Sequence, residues 1–185
     1  MLATIAVIAI VIAVLLAAVL IYAATRPNTF VIQRTTSIKA PPARIHPLIN
    51  DFHQWSLWSP YETKDPAMTR TFSGAPRGQG AVYAWQGDKN VGSGRMEISD
   101  TSPSKVTVDL QFITPFKAHN TAEFSLVPSG DAEQATTQVT TQVTWAMHGP
   151  MPYMAKIMHM FINVDRMVGN DFAAGLANLK AVSER

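Results

Sequence analysis

Hydrophobic and polar residues alternate along most of the chain between residues 29 and 148, and short runs rich in Gly, Pro, Ser and Asn interrupt the alternation. Alternation of this kind is typical of strands with one buried face. Val106, Val108 and Leu110 fall on one side of such a strand, and Thr107 and Asp109 fall on the other. Because the breaks are short, the strands are predicted to be antiparallel. They are predicted at residues 29–39, 69–73, 81–86, 92–100, 105–113, 118–127 and 135–148.

The turn at Pro103 predicts a hairpin between the strands at 92–100 and 105–113. If Met96 pairs with Val108, Arg95 stands opposite Asp109 on the polar face. Such an exposed pair fixes the register and adds only about 0.2–1 kcal/mol of stability.

Apolar residues change to three- and four-residue spacing in two places. Ile45, Leu48, Ile49 and Phe52 predict a short helix after the first strand. The same spacing continues from residue 151 to residue 182 and predicts one long amphipathic helix. The order of elements predicts an α+β fold, in which a curved antiparallel sheet of about seven strands surrounds a long C-terminal helix. We expect a cavity between the two, because a curved sheet does not close fully on one helix.

The first 24 residues carry no charge, and 23 of them are apolar. Roughly 20 apolar residues in a helix cross the core of a bilayer. Residues 1–25 are therefore predicted to form a transmembrane anchor, and residues 26–185 one soluble domain. A cleaved signal peptide is the alternative, but it has a positive region ahead of a shorter apolar stretch.

Basic residues follow the apolar segment. Arg26, Arg34, Lys39 and Arg44 precede the first acidic residue, Asp51. The positive-inside rule then places the C-terminal side in the cytoplasm. We expect a single-pass protein of a bacterial-type inner membrane with a cytoplasmic domain.

Composition excludes several classes of site. The chain has no cysteine, so it has no disulfide, thiolate-metal site or cysteine nucleophile. The 15 basic residues are scattered, whereas a nucleic-acid-binding surface clusters them on one face. We therefore predict no nucleic-acid partner, and we predict neither a cofactor nor a metal.

Histidine and acidic residues give weak signals for chemistry. His46 and His53 with Asp51 would resemble a metal site, but their spacing lacks the i, i+4 geometry of paired ligands on a helix. Asp165 beside His148 or His159 would be an acid–base pair if it were buried. Surface positions are the alternative for both groups.

Aromatic and methionine side chains give a stronger signal. Trp55 and Trp58 are interpreted as a plug for one end of the core, with contact to the membrane surface as the alternative. Five of the nine methionines lie in the last helix, where they form either plain core or an adaptable apolar pocket wall. The predicted ligand-binding residues are Tyr83, Met96, Val108, Phe124, Trp145, Met154, Met158 and Phe161.

Five segments in this order resemble the START/SRPBCC helix-grip superfamily, and within it the bacterial polyketide cyclase/dehydrase-like proteins. They are residues 37–42, 49–60, 91–98, 144–149 and 169–180. The resemblance covers residues 30–184 and implies a fold with an internal apolar pocket, which relatives use for lipids, polyketides or other hydrophobic ligands. It implies no reaction, because fold does not decide function.

These patterns together predict a membrane-tethered protein that binds a hydrophobic or amphipathic small molecule, such as a lipid, beneath its C-terminal helix. Two alternatives remain open. One is a cofactor-free enzyme related to polyketide cyclases and dehydratases. The other is a non-catalytic membrane accessory protein whose cavity is filled by its own side chains.

Overall fold

The computed structural model describes residues 2–129 and 139–185. The chain begins with α1 (Leu2–Thr25), a 24-residue helix without acidic residues in its first turn or basic residues in its last. Side chains from residue 3 to residue 18 are exposed. With a mean hydropathy of 3.3, this helix is long and apolar enough to cross a membrane.

Seven antiparallel strands form one sheet in the order β1-β7-β6-β5-β4-β3-β2. The first and last strands are therefore neighbours. The observed strands confirm the predicted ones to within a few residues, except that residues 135–138 of the last prediction lie outside the described residues. Their bounds are β1 (Thr29–Ile38), β2 (Thr69–Gly74), β3 (Ala81–Gln86), β4 (Ser93–Ser102), β5 (Lys105–Thr114), β6 (Ala118–Ser129) and β7 (Thr140–Pro150).

Short helices connect β1 to β2, and two helices follow β7. The former are α2 (Pro42–Ile49), a 3₁₀ helix (Phe52–Leu57) and α3 (Tyr61–Lys64), and the latter are α4 (Tyr153–Phe161) and α5 (Val164–Ser183). Alternation puts one face of the sheet inside, as the sequence predicts: Val106 and Val108 are fully buried. α5 packs on this inner face, mainly along β1.

The C-terminal helix is not continuous, so the prediction of one helix from residue 151 to residue 182 was wrong. Ile162 has an extended backbone, with φ −120° and ψ 122°, which ends α4. The side chain of Asn163 then accepts a hydrogen bond from the backbone N–H of Arg166 at 2.9 Å and begins α5. Apolar spacing does not reveal this break, because the apolar residues continue through it.

The register between β4 and β5 also differs from the prediction. Met96 pairs with Leu110, so Arg95 stands opposite Gln111 and not opposite Asp109. The ladder shifts between Ile98 and Asp100, where one extra residue of β4 is accommodated. The bulge moves every pair further from the turn by one step towards the prediction, but the turn is tighter than predicted: Ser102 pairs with Lys105 across only Pro103 and Ser104, which leaves the register two residues from the predicted one.

The core lies between the inner face of the sheet and the helices. Trp55 and Trp58 are buried in it, and their indole N–H groups donate to the carbonyl oxygens of Ile49 and Leu48 at 2.9 Å and 2.8 Å. This arrangement is the structural plug that the sequence suggested. It ties the 3₁₀ helix to the end of α2 and leaves neither indole N–H unsatisfied.

Candidate functional site

A stack of aromatic rings fills the centre of the space between sheet and helix. Phe172 of α5 lies parallel to Trp145 of β7, with ring centroids 4.1 Å apart and an interplanar angle of 11°. The ring of Phe124 in β6 also stacks on Trp145, with centroids 5.0 Å apart. Trp58 meets Trp145 edge to face at 5.6 Å. Among the described residues, the buried indole N–H of Trp145 has no hydrogen-bond partner. The packed rings of Phe172, Trp145 and Phe124 therefore fill the centre of the domain.

Three of the predicted ligand-binding residues belong to that packed centre. Val108 and Phe124 are fully buried, and Trp145 is 3% exposed. They are core residues in this structure, because α5 and the 3₁₀ helix press directly on them.

A charged cluster stands on the inner face beside this centre. The carboxylate of Glu62 in α3 accepts from Arg70 Nε at 2.6 Å and from the Tyr83 hydroxyl at 2.7 Å. The Arg70 guanidinium also donates to the carbonyl oxygens of Met68 and Glu62. Burial, together with the hydrogen bond to Glu62, raises the pKa of Tyr83 well above its ordinary range. Tyr83 is thus a protonated donor held by a buried ion pair.

A second polar group joins α3 to α5. Lys64 Nζ lies 2.5 Å from the Asp171 carboxylate and 5.0 Å from the ring centre of Tyr61. Burial raises the pKa of Tyr61, and Asp171 adds to the effect. These contacts close the space between α3 and α5 at one end.

The side of α5 that faces α3 continues as an apolar stripe. Gly175 and Asp171 lie on this side. A Cβ atom on Gly175 would lie 2.7 Å from the Trp145 ring and 2.9 Å from Pro60, so the helix packs closely there. Val168 and Val164 follow one and two turns nearer the start of α5, and both stay only half-buried. Here the helix has no α3 beside it.

The opposite wall comes from β3 and β5. Trp85 and Phe112 are half-buried and meet edge to face, with ring centroids 5.9 Å apart. Gly94 of β4 makes room for them, because a Cβ there would lie 2.3 Å from the Trp85 ring and 2.5 Å from the Gln111 carbonyl oxygen. The bare backbone at Gly94 lets the indole lie across the inner face.

We call the space outlined by Val164, Val168, Trp85 and Phe112 the apolar groove. A helix about 10 Å wide that packs along β1 cannot cover β3 to β5, since strands are about 4.8 Å apart and β5 is the third strand from β1. Inner-face side chains between the walls include the apolar Met96 and Leu110 and one polar residue, Asn120, which pairs with Leu110 and is 7% exposed. Met96 and Leu110 are each 9% exposed, the highest exposed fraction among the buried apolar residues.

The remaining predicted residues lie elsewhere. Met154, Met158 and Phe161 are on α4, where they are 68%, 40% and 76% exposed. They point outward at the end of the domain near α1 and do not join the packed centre, because the break at Ile162 separates α4 from α5. Of the eight predicted residues, Met96 and Tyr83 stand nearest the groove walls on the inner face.

Two surface cavities are found, the first away from the groove and the second sharing Phe112 with the groove wall. One, of about 340 Å³, is lined by residues of α2, the 3₁₀ helix and Arg77, and another, of about 460 Å³, lies at the turn between β5 and β6. His46 lines the first and bonds to Thr101, while His53 pairs with Asp51. In residues 2–129 and 139–185, no three His, Asp or Glu side chains converge as metal ligands.

Asp165 is 63% exposed and pairs with Arg34 at 3.1 Å. It is therefore a solvated helix residue and not part of a buried acid–base pair with His148 or His159.

The sequence profile of a family described as "Polyketide cyclase / dehydrase and lipid transport" matches residues 29–184. The chain belongs to this family. A comparison with curated proteins gave no match.

Solved structures agree with this polyketide cyclase/dehydrase and lipid transport family in fold. The di-domain ARO/CYC BexL of the BE-7585A biosynthetic pathway is 14% identical with a TM-score of 0.58, over 89% of this chain and 53% of BexL. Norcoclaurine synthase from Thalictrum flavum, in complex with dopamine and hydroxybenzaldehyde, is 12% identical at 0.52, over 83% and 86% of the two chains. The Aha1 dimer from Colwellia psychrerythraea is 18% identical at 0.53, over 84% and 96%. At these identities the likenesses establish the helix-grip fold alone.

None of the four residues that outline the groove is among the predicted ligand-binding residues. Trp85 and Phe112 were available from the alternation, and Gly94 opposite Trp85 was a signal for close packing. Arg70 gave no signal, because its partner Glu62 lies on a different element and only the fold brings the two together.

Proposed function

We propose that this protein binds a hydrophobic or amphipathic small molecule, such as a lipid, in the apolar groove, and that α1 tethers it to the membrane. The observation that carries the proposal is partial burial: Val164 and Val168 on α5 and Trp85 and Phe112 on the inner face of the sheet are only half-buried, although they pack against the core. Exposed apolar area of this kind inside a fold is stabilised when a ligand buries it, at roughly 25 cal/mol per Å².

The tether supports the same function. The groove lies at the end of the sheet where β1 begins. The start of β1, Thr29, follows the end of α1, Thr25, by only a few residues. A ligand with low solubility in water concentrates in the bilayer. A binding site held beside that bilayer meets the ligand at a far higher local concentration than a free domain would.

An enzyme related to polyketide cyclases is the second candidate, and Tyr83 with Glu62 is the observation in its favour. A catalytic acid or base must have a proton to exchange near neutral pH. Tyr83 holds its proton tightly, and Glu62 is neutralised by Arg70 and occupied by both partners. The cluster therefore suits the positioning of β2, β3 and α3 better than proton transfer, which favours binding.

An accessory protein with a filled cavity is the third candidate. The aromatic stack of Trp145 and Phe172 agrees with it in the centre of the domain. The half-buried side chains of the groove beside that stack favour a bound ligand over a filled cavity. Retention of a ligand by the purified protein distinguishes the two.

Native mass spectrometry of the full chain, extracted in a mild detergent, tests the proposal. We expect a bound lipid or other apolar molecule on the wild-type protein. Val168→Phe fills the groove and should remove most of that bound mass, and it should weaken binding of the fluorescent fatty acid cis-parinaric acid by about tenfold, equivalent to about 1.4 kcal/mol. Val31→Phe is the matched control, because Val31 lies on the outer face of β1 and is 63% exposed.

Wild-type protein that carries no apolar molecule and binds no cis-parinaric acid would refute the binding function and support the accessory alternative. Equal loss of binding in Val31→Phe would show that the groove is not the site. Circular dichroism of each variant establishes that it is folded before binding is compared.

A further inference from the structure

Exposed apolar side chains concentrate at one end of the domain. Phe116, at the turn between β5 and β6, is 68% exposed, and Ile113 beside it is 53% exposed. The outward side of α4 and the residue after it add four more. We call the six residues together the apolar rim: Ile113, Phe116, Met154, Met158, Phe161 and Ile162.

The strand registers put both parts of the rim at the same end of the sheet. Thr29, at the start of β1, pairs with Pro150 at the end of β7, immediately before α4. His148 pairs with Thr121, near the start of β6. The turn between β5 and β6 therefore lies beside α4, and β1 enters the sheet there from α1. This is also the end at which the apolar groove is uncovered.

Direct contacts fix α4 against the end of α1. The Tyr153 hydroxyl donates to the Leu20 carbonyl oxygen at 2.6 Å. Lys156 Nζ donates to the Asn28 side chain at 2.7 Å, and the Met151 backbone N–H donates to the Asn28 carbonyl oxygen at 2.6 Å. Leu20 precedes the end of α1 by five residues, about 7 Å along the helix axis. The start of α4 is thus level with the last turns of the apolar helix.

Basic side chains flank the rim. Lys117 follows Phe116 directly, and Arg166 stands in the first turn of α5, both exposed. The acid next to Arg166, Asp165, is already paired with Arg34, and the acid nearest to Lys117 in sequence, Glu123, is paired with Lys105. Exposed apolar side chains beside lysine and arginine are what an interface with anionic lipid head groups favours.

We propose that the apolar rim inserts into the surface of the same bilayer that α1 crosses, so that the mouth of the groove opens onto lipid. The inference rests on the proposed tethering by α1. The rim would dock as a second, shallow contact beside α1, and the two contacts together would fix the orientation of the domain on the membrane.

The absence of cysteine allows a direct test with the full chain. Single variants Phe116→Cys, Phe161→Cys, Ile10→Cys, Val127→Cys and Ser104→Cys each carry one nitroxide label in vesicles of phosphatidylethanolamine and phosphatidylglycerol. Collision rates with oxygen, which prefers lipid, and with a water-soluble nickel complex report depth. Val127 and Ser104 are exposed at the opposite end of the sheet and serve as controls.

We expect labels at positions 10, 116 and 161 to favour oxygen several-fold over the controls. Lipid access at position 10 with water access at positions 116 and 161 would overturn the second contact and leave the tether intact. Water access at position 10 would overturn the tether and the inference with it. Ligand retention in the groove is measured separately by native mass spectrometry, so the two failures are distinguishable.

Discussion

At the scale of single residues, the clearest feature is the ion pair between Glu62 and Arg70. The Glu62 side chain is 9% exposed, and it accepts from both Arg70 and Tyr83. A buried charge is tolerated only when its partners are in place. The cluster therefore fixes how α3, β2 and β3 meet.

Glu62→Gln removes the charge that Arg70 requires. We expect it to lower the free energy of unfolding by about 2 kcal/mol, since Arg70 is left partly buried without a counter-charge. The measurement is urea unfolding of the domain in detergent, followed by tryptophan fluorescence. Glu97→Gln is the control, because its pair with Arg95 is exposed and should change stability by less than about 0.5 kcal/mol. Equal losses of stability in Glu62→Gln and Glu97→Gln would mean that the Glu62 cluster contributes no more than an exposed ion pair.

Tyr83 gives a prediction about pH. Its pKa is raised on folding, so the folded state keeps a proton that the unfolded state loses above about pH 10. The stabilisation from the protonated hydroxyl is complete below that pH and is lost as pH rises further. Tyr83→Phe should therefore show a shallower loss of unfolding free energy above about pH 10 than the wild type. Parallel curves for the two proteins would contradict the assignment.

At the scale of elements, the break between α4 and α5 separates two roles. α5 packs on β1 and the aromatic stack, whereas α4 packs against the end of α1 and leaves its apolar side exposed. The break depends on Asn163, whose side chain satisfies a backbone N–H at the start of α5. Without that cap, the apolar spacing that continues through residues 161–164 would favour one continuous helix.

Asn163→Ala should lower the free energy of unfolding by about 1 kcal/mol, because the cap is lost. Asn163→Asp keeps an acceptor oxygen in the same place and should retain most of the stability. Urea unfolding compares the three proteins. A loss as large in Asn163→Asp as in Asn163→Ala would show that the hydrogen bond to Arg166 is not the reason for the break.

At the scale of the whole molecule, the two ends of the sheet are chemically different. One end carries α1, the apolar rim and the open groove. The other carries polar contacts such as Thr101 to Asn50 and His46 to Thr101. This polarity is the one that the proposed entry of a ligand from the membrane side requires.

Loss of the rim should slow exchange of ligand without changing how much is bound at equilibrium. Phe116→Ser combined with Phe161→Ser should reduce the rate of cis-parinaric acid transfer from vesicles to the full chain several-fold, while final occupancy stays the same. Leu57→Ser combined with Val127→Ser is the control for exposed apolar residues outside the rim. A change in final occupancy with an unchanged rate would place the rim residues in the groove and not at its entrance.

Alternation and hydropathy predicted the strands, their inner faces and the apolar first helix correctly, because both are local properties that tertiary contacts did not override. The sequence also carried the family, through segments whose order is fixed along the chain. The register of β4 on β5, the ion pair of Glu62 with Arg70 and the end of α4 could be read from the folded structure alone. Each of these depends on groups far apart in sequence or on a single residue's backbone. Phe124 and Met154 were equally apolar in the sequence, and only the path of the chain buried one and exposed the other.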